Sequence, residues 1–449
     1  MTLAYLSEET VKAVMRLGAD ECDVIIAQTN SISVEIERGS VKQASSSIDP
    51  GVGIRAISGG SSGFAFCTDH EPASIKKTAE LAVSLAKSGT ADTDFRGLPH
   101  PSKPQIISGL FDPKVADITP DAGVEMISRV ADVAGDDKRI TSVMVGLGMS
   151  VCQVSLANSH GLVVEQEMSS FDVFAEAVAR SNSTMFSGFD GSSSRRLDLS
   201  QLDSAGLSAR EHAINGLRQT KVETGDYAIV VDPLAAGMIL ADAIGGGTNA
   251  EAVQRKRSYL TGKMGQMIGS ESITIVDDPL LQWAVGSTSF DGEGTVARPT
   301  TLVDSGRLSS YLYDSYTAGK DSVESTGNSS RGGAVWSYRH PPSISTSNLV
   351  VKSGSSNMDE MIKESDGGVY LRVTFDHPNL ATGEFSGLMM ESYVIEDGAL
   401  GPSIRQSTVG ISLIEMLSRI DMIGKESKDY FGVRTPAFRI SNARVAGSA

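Results

Sequence analysis

The segment spanning residues 225–247, GDYAIVVDPLAAGMILADAIGGG, constrains the fold more than any other. Residues 227–231 form an apolar run that reads as a buried strand. Asp232 is a good N-cap, and Pro233 follows at the first helical position, where its missing N–H is not needed. The helix that follows is built of small and apolar residues and closes at Gly245, Gly246 and Gly247. It reads as a buried helix, because Ala and Gly let a neighbouring backbone come close. Asp242 is the one charged residue between 239 and 246, so it needs a partner or a path to water. The chain can enclose such a helix: 449 residues, 40% of them hydrophobic, are enough for two or three packed domains.

The rest of the chain reads as α+β. Helical spacing covers 8–18, 73–88, 120–133, 202–219 and 412–420. Strand patterns cover 22–28 and 31–39, then 51–58 and 61–66, which flank the turn pair Gly59-Gly60. Further strand runs occupy 141–159, 161–180 and a looser stretch to 189, and prolines from Pro99 to Pro113 mark a crossing segment. Short strands dominate 272–310 and 343–409, with a final strand near 438–445. We expect an N-terminal layered domain with a mixed sheet and helices (1–98) and a central helix–strand segment packing with it (99–221). A β-rich C-terminal domain of sandwich- or barrel-like sheets with a few helices (222–449) completes the chain.

Charge and composition exclude several functions. The formal charge of -16 makes the chain a poor binder of nucleic acid or of an anionic membrane. Cys22, Cys67 and Cys152 are too few for a disulfide framework and fit a reducing compartment. His70, His100, His160, His212, His340 and His377 are isolated, which rules out a zinc site of ordinary local spacing but not one assembled from distant segments. The start, MTLAYLSEET, is no signal peptide, and the longest apolar stretch is broken by Asp232, Pro233 and Asp242. A cytoplasmic protein with no membrane span is expected.

Two motif matches read as turns. Gly51-Val52-Gly53-Ile54-Arg55-Ala56 fits a loose dinucleotide fingerprint, and Gly59-Gly60-Ser61-Ser62-Gly63 fits a nucleophile elbow. Both need a helix to follow, and each leads into strand-like sequence. Arg255-Lys256-Arg257 reads as a solvated face, and Cys67 as a small core residue.

Several strings together resemble one family. GVGIRAISGGSSGFAF (51–66), SFDGEGTVARPTTLVDSGRLSSYLYDSYTAGK (289–320), STGNSSRG (325–332), TSNLVV (346–351), ATGEFSG (381–387) and YVIEDGAL (393–400) fall in the order found in the TldD/PmbA family. That family is known for gyrase-modulator-type and peptide-processing proteins. In its TldD branch a helix carries His-Glu-x-x-x-His, and a Cys near the C-terminus completes a metal site. Imidazoles and a thiolate suit zinc, and the Glu takes a proton from metal-bound water. Here Ala241 stands at the first His position, Asp242 at the Glu and Gly246 at the second His, and no Cys follows Cys152.

The resemblance therefore implies the PmbA, or TldE-like, branch, without a metal cofactor. It implies a subunit that pairs with a TldD-type metalloprotease, or with itself, and helps hold unfolded or modified peptides. Asp242, Glu293, Arg298 and Asn348 are the residues expected to face a peptide cleft. The alternatives are a homodimeric peptide-binding scaffold, or a metallopeptidase with a rebuilt site using His377 and Asp376. The acidic balance gives no support to direct DNA contact.

Overall fold

The computed structural model describes residues 2–333, 335–430 and 432–447. The N-terminal half opens with helix α1 (Leu3–Arg16), then strands β1 (Glu21–Glu37), β2 (Ser40–Ser58) and β3 (Ser61–Cys67), then helix α2 (Pro72–Ser88). A short helix α3 (Pro113–Ala116) follows the proline-marked crossing. Next come α4 (Pro120–Gly135), β4 (Ile140–Asn158), β5 (Val163–Ser181), β6 (Thr184–Ser194) and α5 (Leu199–Asn215). The six strands form one sheet in the order β3-β2-β1-β4-β5-β6. Every pairing in it is antiparallel, where a mixed sheet was expected, because tight turns join the strands within each run of three.

The chain thus repeats helix–three strands–helix twice, and the two copies meet along the β1–β4 pairing. The second helix of each copy lies against its outer strand at a glycine. A Cβ on Gly63 would stand 2.3 Å from the Ala82 carbonyl oxygen of α2, and one on Gly188 of β6 would stand 2.2 Å from that of Ala209 in α5. No side chain fits at either point.

β1 runs unbroken through Thr29 and Asn30, where the sequence pattern suggested two strands. Both of its edges are paired there, Asn30 lying opposite Ile48 and Val151, and hydrogen bonding on two sides carries the strand across polar residues. The hairpin between β2 and β3 turns at Gly59 and Gly60, with φ of 57° and 77°. Helix α5 starts at its Asp198 cap, one turn earlier than the pattern implied, and ends before Gly216.

Alternation in β1 buries both faces. Val24 and Ile26 pack under α1 and α2, and Ile25 and Ala27 pack against Phe290, Trp336 and Tyr338 of the C-terminal half. A buried ion network reinforces that seam. Arg55 donates to Asp23 at 2.6 Å and to Glu293 at 2.9 Å, while Arg331 donates to Asp23 at 2.8 Å. Burial pushes the Asp23 carboxyl up, but the two guanidiniums outweigh it and hold it below its usual range.

After β7 (Gln219–Thr220), strand β8 (Gly225–Val231) enters the C-terminal sheet. That sheet is built around the last strand, Val433–Ala446, which pairs antiparallel with β8 and parallel with Leu349–Val351. Helix α6 (Pro233–Leu240) lies in the core, with Ala235, Ala236, Ile239 and Leu240 at most 1% exposed. Its first turn is capped as expected, Asp232 accepting from the Leu234 N–H at 2.8 Å.

Candidate functional site

The helix does not stop at Leu240. Residues Ala241–Gly246 continue it as a π-helix, with the Gly247 N–H donating to the Asp242 carbonyl at 3.1 Å, five residues back. In an α-helix, residues five apart point roughly 140° apart. A π-turn closes over five residues, so it brings Ala241 and Gly246 nearly one above the other. The two positions have different surroundings, Ala241 at a cavity and Gly246 against Leu380, and a methyl group and a hydrogen atom have no donor to offer a metal. Among the described residues no three His, Cys, Asp or Glu side chains group as a ligand set.

Ala241 lies on the wall of a cavity of about 360 Å³ between the two halves of the chain. A second cavity, of about 410 Å³, adjoins it and shares Ser193, Val285, Gly432 and Val433 as walls. Together they form a cleft. One side is the end of β6, whose outer edge is unpaired among the named strands. The other is made of the 281–288 loop and residues 432–434.

Of the residues expected to face a cleft, the structure brings some to it and places others elsewhere. Asp242 lies on the π-turn, and its Oδ2 is 2.5 Å from His377 Nδ1. Asp376 is turned away from His377 and accepts the Leu388 N–H at 2.6 Å. Asn348 borders the 410 Å³ cavity but is 2% exposed and spends its amide on bracing. It accepts from the Gly286 N–H and donates to the Asp278 carbonyl and the Ser287 hydroxyl. Glu293 is 1% exposed inside the seam, where it binds Arg55 and accepts the Ser315 N–H at 2.9 Å. Arg298 is on the open surface, donating to the Ser325 carbonyl at 2.6 Å. Gly246 packs toward Leu380, whose Cδ1 would meet an added Cβ at 2.7 Å.

The cleft wall includes residues the sequence patterns did not single out: Arg195, Asp291, Asn328 and Ser329. Asp291 shares the Asp-x-Glu-Gly string with Glu293 but points the other way. It accepts the N–H groups of Glu293, Thr295 and Ser329. Burial, then the neighbouring Glu293 charge, push its carboxyl well above the usual range. Asp277 behind it is pushed up to about 6 by burial, although Asn328 and Ser347 donate to it. Asn328 and Ser329 lie inside STGNSSRG, so their region was legible even though their role was not. Arg195 carries no such signal.

Comparison with known proteins fits this arrangement. Residues 22–86, 113–217 and 224–447 match, in that order, domain 1, the central domain and the C-terminal domain of the PmbA/TldA metallopeptidases. An uncharacterized protein of Methanocaldococcus jannaschii is 30% identical over 88% of this chain and 89% of its own length. The chain belongs to the PmbA/TldD family. A Haemophilus influenzae relative named as a TldD metalloprotease homologue is 26% identical across 100% of this chain and 98% of its own. The metalloprotease PmbA of Escherichia coli O157:H7 is 24% identical over 98% of this chain and 96% of its own length. Among solved structures, TldE of Thermococcus kodakarensis superposes with a TM-score of 0.88 at 24% identity, covering 98% of this chain and 100% of its own. The PmbA/TldD fold is therefore shared end to end, and no helix among the described residues is long and apolar enough to cross a membrane.

Proposed function

We propose that this chain is a TldE-like subunit with no metal of its own, which joins a TldD-type metalloprotease and holds extended peptide for it. One observation carries the reading. At the two positions where the resemblance puts a His pair, the π-turn beside the cleft carries Ala241 and Gly246, which have no donor atom for a metal. The family membership and the likeness to a protein named TldE agree with it. Among the described residues no further strand pairs with β6, and beyond Phe189, whose N–H and C=O are taken by Glu391 and Arg372, its end beside the cleft suits an extended peptide added as a further strand. A cytoplasmic location, where peptides meet both subunits, belongs to the same proposal.

The rival reading, a hydrolase with a rebuilt metal site, would have to use His377 and Asp242, one imidazole and one carboxylate on an open surface. The test is co-expression with a TldD-type protein, followed by proteolysis of an unfolded peptide with and without this chain. We expect a stable complex whose activity exceeds that of the partner alone. No complex and unchanged proteolysis would overturn the reading. Stoichiometric, tightly held zinc in the isolated chain would establish the rival.

A further inference from the structure

Among the described residues three Arg side chains are buried, and two of them hold carboxylates. Arg331 pairs with Asp23 at 2.8 Å, and Arg372 lies 3.4 Å from Asp190 and also contacts Glu391. Arg195 is the exception. It is 2% exposed, and its Nη1 and Nη2 donate to the Ser169 and Ser287 carbonyls at 2.9 and 3.0 Å. Its Nε has no partner, and no carboxylate lies within salt-bridge distance among the described residues. A buried cation with no carboxylate in contact is costly even though the Asp172 charge acts on it from a distance, so its retention calls for an explanation.

Arg195 forms part of the 360 Å³ cavity, and so do two other unsatisfied groups. Five buried side-chain polar atoms lack a hydrogen-bond partner among the described residues. Three of them, Arg195 Nε, Asn328 Oδ1 and Ser329 Oγ, belong to this one cavity's lining residues. Asn328 and Ser329 are each 4% exposed. Such groups are rare in folded proteins, and their concentration around one cavity points to a ligand with matching chemistry.

We propose that this cavity binds the C-terminal residue of a peptide, its carboxylate against Arg195 and Ser329 and its amide N–H against Asn328. The match is to both chemistries at once. A guanidinium N–H and a hydroxyl donate to a carboxylate, while an amide oxygen accepts the peptide N–H. Acetate, a carboxylate with no N–H, would satisfy the first pair and leave Asn328 without a donor. Two carboxylates also border the cavity. Asp172, half-buried, accepts from the Ser170 hydroxyl at 2.9 Å. Asp291 accepts three backbone N–H groups and makes no ion pair with Arg195.

The inference rests on the peptide-holding reading above, and the experiment separates the two. Binding of N-acetyl tetra-alanine, of its C-terminal amide and of acetate is measured with the purified full chain and with R195Q. A second variant, A241L, narrows the cavity without touching Arg195. We expect the acid to bind at least about tenfold tighter than the amide, the effect of one charge-assisted hydrogen bond. That preference should vanish in R195Q, and A241L should weaken both peptides. Melting curves establish that each variant is folded, and A241L gives the answer if R195Q is not. Equal binding of acid and amide overturns the carboxylate site and leaves peptide holding intact. Acetate binding that depends on Arg195, without peptide binding, keeps the anion site and overturns the peptide reading. No binding by any probe overturns both.

Discussion

Replacing Glu293 by Ala tests whether that side chain locks the two halves together or serves the cleft. In the seam, Arg55 and Arg331 face Asp23 and Glu293, two cations against two anions, all enclosed. Removing Glu293 leaves two guanidiniums on one carboxylate, and it strands the Ser315 N–H that Glu293 accepts. An uncompensated buried charge costs about 3–5 kcal/mol. The loss should appear as a lower urea midpoint, followed by fluorescence of Trp283 and Trp336, the chain's two tryptophans. Trp336 packs edge-on against Phe290 in the same seam, with ring centroids 5.4 Å apart, so its emission reports the opening directly. The double variant R55A/E293A restores charge balance, leaving Arg331 with Asp23. It should therefore cost less than the sum of the two single changes, by roughly 1–3 kcal/mol. The reasoning is refuted if E293A costs no more than about 0.5 kcal/mol, the usual range for a surface substitution. Strictly additive effects in the double variant would refute it as well.

Other predictions follow from the same geometry. His212 is pushed down to about 3 by burial and then by the Arg372 charge, while the unfolded imidazole titrates near 6.5. Its contribution to stability is present above pH 6.5 and is lost as pH falls toward 3, at roughly 1.4 kcal/mol per pH unit. Urea midpoints measured across that window should fall less steeply for H212Q than for the unaltered chain. G188A should lower the melting temperature sharply by pushing α5 off β6, and G63A should do the same to α2, whereas G410A, with open space around it and no positive φ, should not.

Much of the fold was legible because local patterns and packing agree. Asp232-Pro233 marked where α6 begins, and Gly59-Gly60 marked the first hairpin; both are set by chemistry within a few residues. What escaped the sequence depends on residues far apart. The unbroken β1 needs partners more than 100 residues away, and the π-turn after Leu240 has the same apolar composition as an α-helical continuation. At the site, the helix facing the cleft could be read, whereas the inward or seamward choice within Asp-x-Glu-Gly could not. Asp291 and Glu293 are two residues apart in a turn, and the turn sends one to the cavity and the other to Arg55. Arg195 was hidden for the opposite reason: an arginine pair after three serines looks like surface until the 281–288 loop closes over the first of them.

The doubled helix–three strands–helix plan has a consequence for synthesis. β1 is an inner strand of the finished sheet, but β4, its partner on one side, lies on the order of 100 residues later in the chain. At roughly 5–20 residues per second, the first copy waits on the order of ten seconds with an open strand edge of the kind that recruits other chains. The hazard is greatest in the nascent chain, before the second copy exists. Slowing translation just after α2 should therefore lower the yield of folded protein more than the same pause placed after α5.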